Sequence, residues 1–354
     1  HAQELNEAQT RNEFIEPLFS YLGWDMRNIN LSDEVVTEYA VSNGRVDLAF
    51  RLGGSTKFLL EAKAIKVNLD DWQWAKQAIN YSWNRAVNWA VLTDFQGLKV
   101  FNAEIPPTNM ANNLFFELGW EEFVSRFDEL WYLSRTSSEE DTLEKVSKGW
   151  KKSEKRTNVT FQLFDNLTTW RDELTFELEP VSNLNQADKD EAIQKLLDRL
   201  IFIRAAEDRK ILEQVLRVLS RDSKEGTLWH NLVSLFHNLD KTFNSKLFAK
   251  HPLEELPFSS QTLRKIITEL YDSPDGYTYD FSAISGDLLG SIYERYLTFT
   301  QLADSERTEK SKRKLRGIFY TPEPIVDYLL SNTIDELLKS GRAPSSIKIL
   351  DPAC

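Results

Sequence analysis

A single cysteine, Cys354, excludes an internal disulfide framework in this chain of 354 residues. No run of 18 apolar residues occurs and no signal-peptide pattern opens the chain, so no membrane partner is expected and a cytoplasmic protein is implied. Positive charge is also short: 43 Lys and Arg stand against 55 Asp and Glu, and a net charge of −12 argues against wholesale polyanion binding. Local basic strips remain, at Lys148, Lys151, Lys152, Lys155 and Arg156 and at Arg307, Lys310, Lys312, Arg313, Lys314 and Arg316. Each reads more readily as a solvated linker than as a phosphate contact, yet they leave room for a DNA enzyme with local patches. The phosphate loop G-x-x-x-x-G-K-[ST] is absent. What is left is an ordinary globular composition, 41% hydrophobic and 28% charged, long enough for two or three domains.

The chemistry is concentrated between Arg45 and Lys63. Two apolar-rich runs, Arg45 to Arg51 and Lys57 to Lys63, flank Leu52-Gly53-Gly54-Ser55-Thr56, which predicts a β-hairpin. If Arg51 faces Lys57, paired residue numbers sum to 108, so Asp47 lies opposite Glu61 and Lys63 follows on the same face. The other face then carries Val46, Leu48, Phe50, Phe58, Leu60 and Ala62, a wholly apolar set suited to packing on helices. Opposed carboxylates about 5 Å apart repel by up to ~1 kcal/mol unless a cation lies between them. Hard oxygen donors suit Mg²⁺, which takes one or two carboxylates and also binds phosphate oxygens. Lys63 could then orient an attacking water or help deprotonate it.

Around the hairpin, the periodicity predicts an amphipathic helix over Glu4 to Leu22 stopped by Gly23, a strand over Glu34 to Val41, and a helix over Leu69 to Arg85. That last helix turns Trp72, Ala75, Ile79 and Trp83 inward and places Gln77 and Tyr81 on one face. Two short strands, Asn88 to Thr93 and Leu98 to Asn102, complete an α, β-meander, α, β, β order. Another helix is expected over Glu117 to Leu133, and the polar stretch Ser134 to Glu144 marks a boundary. Helices follow over Asn158 to Glu177, Asn185 to Ser220, Gly226 to Phe236 and Ser259 to Tyr271. Thr321 and Pro322 cap a further helix from Glu323 to Leu338, and Ile347 to Leu350 reads as a short buried strand.

Asp47 followed by Glu61-Ala62-Lys63 is similar to the PD-(D/E)xK nuclease motif, with Val46 where a proline often stands. Asn6-Glu7-Ala8-Gln9-Thr10-Arg11, Phe14-Ile15-x-Pro17-Leu18 and Leu22-Gly23-Trp24 resemble the opening helix of restriction-modification nucleases. There an acid from this helix reaches the metal, which implies Glu7 and, second, Glu13. Gln77 and Tyr81 look like the QxxxY pair of RecB-like members of that superfamily. Asp198 to Arg204 with Glu207-Asp208-Arg209, and Gly286 to Glu294, are similar to the helical connector of fused restriction-modification enzymes. Gly317 to Pro322, with Phe319-Tyr320-Thr321-Pro322, and Asp351-Pro352-Ala353-Cys354 resemble adenine-specific DNA methyltransferases, whose FYTP and DPACGSG motifs line the S-adenosylmethionine pocket.

The resemblance implies a type IIG-like fused restriction endonuclease and N6-adenine DNA methyltransferase. Its expected fold is an α/β PD-(D/E)xK nuclease domain over 1–135, a linker over 136–157, an all-α connector over 158–316, and the first elements of an α/β methyltransferase over 317–354. Asp47 and Glu61, with the Ala62 carbonyl, would hold Mg²⁺; Lys63, Gln77, Tyr81 and Glu7 would complete the catalytic set. Phe319, Tyr320, Thr321, Pro322, Asp351 and Pro352 would contact S-adenosylmethionine in the full-length protein. The glycines after DPAC and the Asn-Pro-Pro-Tyr motif that would receive a flipped adenine are not in this sequence, so this chain by itself is not expected to methylate. Double-stranded DNA is the expected partner, met mainly through its phosphates, with dimerisation one route to cutting both strands. Two other readings stay open: the nuclease of a helicase-linked enzyme, and a nuclease-like scaffold that does not cut.

Overall fold

The computed structural model describes residues 4–29, 33–41, 44–151, 156–181, 184–243, 246–284, 286–300, 323–343 and 346–348. Its organising element is a six-stranded sheet whose strands lie side by side in chain order: β1 (Val35–Val41), β2 (Gly44–Leu52), β3 (Ser55–Ala62), β4 (Trp89–Thr93), β5 (Gly97–Asn102) and β6 (Leu114–Gly119). Neighbours are antiparallel except β3 and β4, which run parallel because a helix, Trp72–Asn84, carries the chain back between them.

The hairpin turns more tightly than its sequence suggests. Gly53 and Gly54 both take positive φ, +57° and +81°, so only two residues form the turn and Leu52 pairs with Ser55. That register would set Arg51 against Thr56 and not Lys57, and it does. A shift between Phe50 and Arg51 then restores the expected alignment, with Phe50 opposite Phe58 and Leu48 opposite Leu60. Phe50 and Phe58 stack directly, with centroids 4.4 Å apart.

Helical layers cover both faces of the sheet. The opening segment, α1 (Glu7–Thr10), a π-helical stretch Arg11–Ile15 and α2 (Glu16–Tyr21), sends Ile15, Phe19, Leu22 and Trp24 onto Leu48, Phe50, Phe58 and Leu60. Gly23, at φ +92°, ends it. On the opposite face α3 (Trp72–Asn84), with Asp71 as N-cap, packs Ala75, Ile79 and Trp83 on Ala90, Leu92 and Phe101. β4 is consequently buried along its whole length.

After the short helices α4 (Met110–Asn113), α5 (Phe127–Trp131), α6 (Arg135–Glu139) and α7 (Thr142–Ser147) comes a helical block: α8 (Val159–Leu178), α9 (Gln186–Asp208), α10 (Val215–Asp222), α11 (Leu228–Phe243), α12 (Ser260–Glu269) and α13 (Gly286–Thr300). Its apolar faces continue the α3 core. The Trp83 ring lies flat on Tyr277, 4.0 Å between centroids, and the Tyr277 hydroxyl donates to the Ala103 carbonyl. Asn84 donates to the Thr278 carbonyl and accepts from the Asp280 N–H, a paired main-chain clamp between α3 and the block. Among the described residues no helix is long and apolar enough to cross a membrane.

Several expectations need correction. Glu117 to Leu133 is not one helix: Glu117 to Gly119 finish β6, a 3₁₀ turn covers Trp120–Glu122, and only Phe127–Trp131 is α-helical. The residues that suggested one helix, Trp120, Phe123, Phe127, Leu130 and Trp131, all lie beyond β6, whose own run alternates with Phe116 and Leu118 inward and Glu117 outward. The stretch Asn185 to Ser220 breaks after Asp208, where Lys210 has φ +58° and the Glu207 carboxylate takes the Leu216 N–H at the start of α10. Glu323 to Leu338 forms two helices, α14 (Glu323–Ser331) and α15 (Ile334–Lys339). Val46 packs with Ala49, Leu59, Val87 and Ala283, not with the Leu48 set, since beyond Leu48 β2 no longer pairs with β3 and its pleat is no longer tied to that strand. Ile347 and Lys348 are not in a strand, and 349–350 lie outside the described residues. In the first basic strip, Lys151 donates to the Ala111 and Asn112 carbonyls and Arg156 to those of Ser147 and Trp150; 152–155 lie outside the described residues.

Candidate active site

The site forms where β3, which has the antiparallel β2 on one side and the parallel β4 on the other, reaches its carboxyl end. The β2–β3 ladder stops at Leu48 and Leu60. One residue further, the Asp47 carboxylate takes the place of the missing backbone partner: its Oδ2 accepts the Ala62 N–H at 2.8 Å. This single bond fixes Asp47 beside the strand that carries Glu61 and Lys63, whose own N–H donates to the Thr93 carbonyl of β4.

Glu61 and Lys63 are each only 5% exposed. Lys63 Nζ donates to Glu61 Oε1 at 2.7 Å and reaches Glu7 Oε2, on the opening helix, at 3.5 Å. It also lies over the Trp74 ring, 4.8 Å from the centroid. Glu61 Oε2 is buried and has no hydrogen-bond partner among the described residues. Burial, together with the charges of Asp47 and Glu7, overcomes the attraction of Lys63 and pushes the Glu61 carboxyl up to about 7. Burial and the Glu7 charge also raise Asp47, against the Ala62 N–H, Lys63 and Arg11. For Lys63 the balance is reversed: burial disfavours the ammonium, but Glu61, Glu7 and Asp47 outweigh it and raise its pKa, so it is charged at neutral pH.

From α3, Gln77 Nε2 donates to Glu61 Oε1 at 3.3 Å and to the Tyr81 hydroxyl at 3.1 Å, so one amide ties the carboxylate to the helix. Burial raises the Tyr81 phenol, the nearby Glu61 and Asp280 charges adding to it. Glu7, Asp47, Glu61, Lys63, Gln77 and Tyr81 are thus brought together. Glu13 is exposed on the helix surface. Phe319, Tyr320, Thr321, Pro322, Asp351 and Pro352 lie outside the described residues. Sequence reasoning missed Arg11, whose Nη1 is 3.5 Å from Asp47 Oδ1, and Trp74. Arg11 sits one turn after Glu7, so its i, i+4 spacing from Glu7, the first of the two acids singled out on that helix, was the available signal.

Among the described residues no three His, Cys, Asp or Glu side chains are grouped closely enough to hold a metal ion. The donor set nevertheless fits a hard divalent cation that keeps most of its waters, since such an ion needs only one or two carboxylates. Glu61 Oε2 is a buried oxygen without a hydrogen-bond donor among the described residues; burial and the Glu7 charge raise both carboxyls, and the Asp47 charge adds to that on Glu61.

No family model matches the chain. It is 28% identical over 99% of its length to RM.Eco57I of Escherichia coli, a type II restriction enzyme and methyltransferase, and the match covers 37% of that protein. RM.MjaORFECS2P of Methanocaldococcus jannaschii, assigned to the same class, is 23% identical over 95% of this chain and 34% of its own. The chain therefore spans little more than a third of the curated relatives it matches. Among solved structures, the type IIG restriction endonuclease BpuSI aligns with 82% of this chain and 31% of its own at 15% identity, with a TM-score of 0.29, too low to carry a comparison of folds. The resemblance read from the motifs is borne out: along nearly its whole length this chain is similar to fused type II restriction enzymes and methyltransferases.

Proposed function

We propose that this chain carries the DNA-cleaving centre of such a fusion, a Mg²⁺-dependent endonuclease site of the PD-(D/E)xK kind. The observation that carries the reading is the convergence of Asp47, Glu61 and Lys63 at the end of β3, with a buried carboxylate oxygen of Glu61 left unpartnered. Asp47, Glu61 and the Ala62 carbonyl would hold the ion, which when bound supplies positive charge to polarise the scissile phosphate. Lys63, an ammonium at neutral pH, serves as a donor: it orients the attacking water and stabilises charge on the phosphate oxygens instead of taking the proton. Gln77 holds the Glu61 carboxylate in place, and Tyr81 braces Gln77. Double-stranded DNA is the substrate on this reading, and cutting both strands would draw on a second copy.

The nuclease domain is assigned to 1–135, the linker to 136–157, the helical connector to 158–316 and the start of a methyltransferase domain to 317–354. S-adenosylmethionine belongs to the full-length protein, where Phe319 to Pro322, Asp351 and Pro352 would contribute to its pocket; only their sequence supports this. The test is cutting of a mixed-sequence plasmid by the chain with and without Mg²⁺. Cutting should require the ion and vanish in Asp47→Ala; cutting that persists in EDTA or in that variant refutes the assignment.

A further inference from the structure

Arg11 closes the opening-helix string but has no role assigned there, yet its guanidinium makes no side-chain hydrogen bond among the described residues. It stands in the π-helical stretch of the opening segment, its side chain 15% exposed. A guanidinium carries five N–H donors and cannot be deprotonated in a protein, so burying it calls for hydrogen-bonded anions. Arg11 instead has two ion pairs at 3.5 Å, Nη1 to Asp47 and Nε to Glu16, and makes no side-chain hydrogen bond among the described residues, its buried Nε included. Two arginines of the helical block are treated differently: Arg199 donates to two carbonyls and to Glu254, and Arg204 to two carbonyls and Asp208.

The charges around it point the same way. Glu7, Glu16, Asp47 and Glu61 face Arg11 and Lys63, four formal negative charges against two positive. A divalent cation held by Asp47 and Glu61 brings that balance to neutral. Without Arg11 the filled site would keep a net negative charge and repel a phosphodiester. The cation would also compete with Arg11 for Asp47, and Arg11 would then have its forked donors free beside the place where the phosphate binds.

On this basis, and resting on the nuclease reading above, we propose that Arg11 is a phosphate-binding residue of the cleavage site, paired with Asp47 while the metal is absent and turned to the DNA phosphate when a divalent cation occupies Asp47. The proposal predicts a phosphate contact that exists only in the metal-loaded protein.

The contact can be counted from the salt dependence of DNA binding. Binding of a short mixed-sequence duplex by the full chain is measured across a salt series, once with Ca²⁺ in place of Mg²⁺ to fill the site without fast cutting and once in EDTA. With Ca²⁺, Arg11→Ala should reduce the slope of log K against log salt by about 0.9, the value of one phosphate contact. In EDTA the slopes of the two proteins should coincide, and Arg11→Lys should restore the slope with Ca²⁺. Arg11→Gln, neutral and of similar length, replaces the alanine variant if circular dichroism shows the latter unfolded. Equal slopes with Ca²⁺, or the same drop in EDTA, overturn the proposal while leaving a metal-dependent nuclease intact. A wild-type chain that neither cuts with Mg²⁺ nor binds DNA overturns the nuclease reading and this proposal with it.

Discussion

Two buried clusters of charge, one at the end of β3 and one inside the helical block, look alike by the usual indicators and differ in one respect. In the block, Arg204 pairs with Asp208 and lies over the Tyr271 ring at 4.0 Å, while Glu207 accepts from the Tyr271 hydroxyl and the Leu216 N–H. Asp208 accepts in addition from the Phe281 N–H. Burial raises the carboxyls of Glu207 and Asp208, just as it raises those of Asp47 and Glu61. A perturbed pKa therefore does not separate the two clusters. Satisfaction does: both carboxylates of the block use both oxygens, whereas Glu61 Oε2 and Arg11 Nε have no hydrogen-bond partner among the described residues. The completed network holds helices together; the incomplete one is where the proposed ion and phosphate would bind.

The sharpest way to break this comparison is to remove one carboxylate from each cluster and read two quantities. Glu61→Gln should lower Mg²⁺-dependent cutting by ~10²–10³-fold or more, the cost of losing one electrostatic contact to the transition state. Its unfolding midpoint should move little. Arg204→Ala should do the opposite, leaving two buried carboxylates uncompensated at a cost of about 3–5 kcal/mol. Urea unfolding followed by circular dichroism measures that loss. A Glu61→Gln protein that loses as much stability as Arg204→Ala would place Glu61 among the structural charges.

Proton linkage sharpens the contrast further. The Glu61 carboxyl is raised in the folded state to about 7 from its ordinary 4.5, so between those values the folded chain binds more protons than the unfolded one. Its contribution to the stability of the metal-free chain is thus full below pH 4.5 and lost as pH rises through 7. In EDTA, the melting temperature of wild type relative to Glu61→Gln should fall as pH is raised across that window, and Mg²⁺ should cancel much of the fall by supplying the missing positive charge. The same competition predicts weaker Mg²⁺ binding below about pH 7. Calorimetric melting at several pH values checks both; a pH-independent difference between the two proteins counts against the raised carboxyl.

How much of this was legible in the sequence depends on whether the interaction was local. The hairpin could be read because alternation and two glycines mark it, and the pairing at Leu48, Phe50, Phe58 and Leu60 is the expected one, reached through a shift next to the turn. The shift at Arg51 could not: whether Gly53-Gly54 makes a two-residue turn or sits in a longer loop depends on backbone angles, not residue types. β6 was hidden because its six residues carry two adjacent aromatics, Phe115 and Phe116, and its last three were absorbed into the helix expected from Glu117. Arg11 was overlooked because its partner, Asp47, lies on another element, and its spacing from Glu7, the one trace it leaves in the helix, does not show that contact. The clamp of Asn84 on Thr278 and Asp280 joins residues nearly two hundred positions apart and leaves no local trace.

The smallest expected effects test whether α3 supports the site as the geometry suggests. Gln77 makes the only described link from α3 to the Glu61 carboxylate, so Gln77→Ala should loosen Glu61 and cost ~10–100-fold in metal affinity or cutting, as the loss of a group that orients a metal ligand does elsewhere. Tyr81 acts one step further out. Its hydroxyl accepts the same Gln77 amide, and removing it in Tyr81→Phe leaves both the ring and the Gln77–Glu61 bond in place. The expected loss of cutting is accordingly below ~10-fold, the size of one neutral hydrogen bond. The double variant Gln77→Ala with Tyr81→Phe should be no worse than Gln77→Ala alone, because once the amide is gone the hydroxyl has nothing left to brace. Single-turnover cutting rates of the three proteins decide it. Additive losses would mean that Tyr81 reaches the reaction by a route of its own, through its own hydroxyl at the phosphate, and the chain of support from Tyr81 through Gln77 to Glu61 would be wrong.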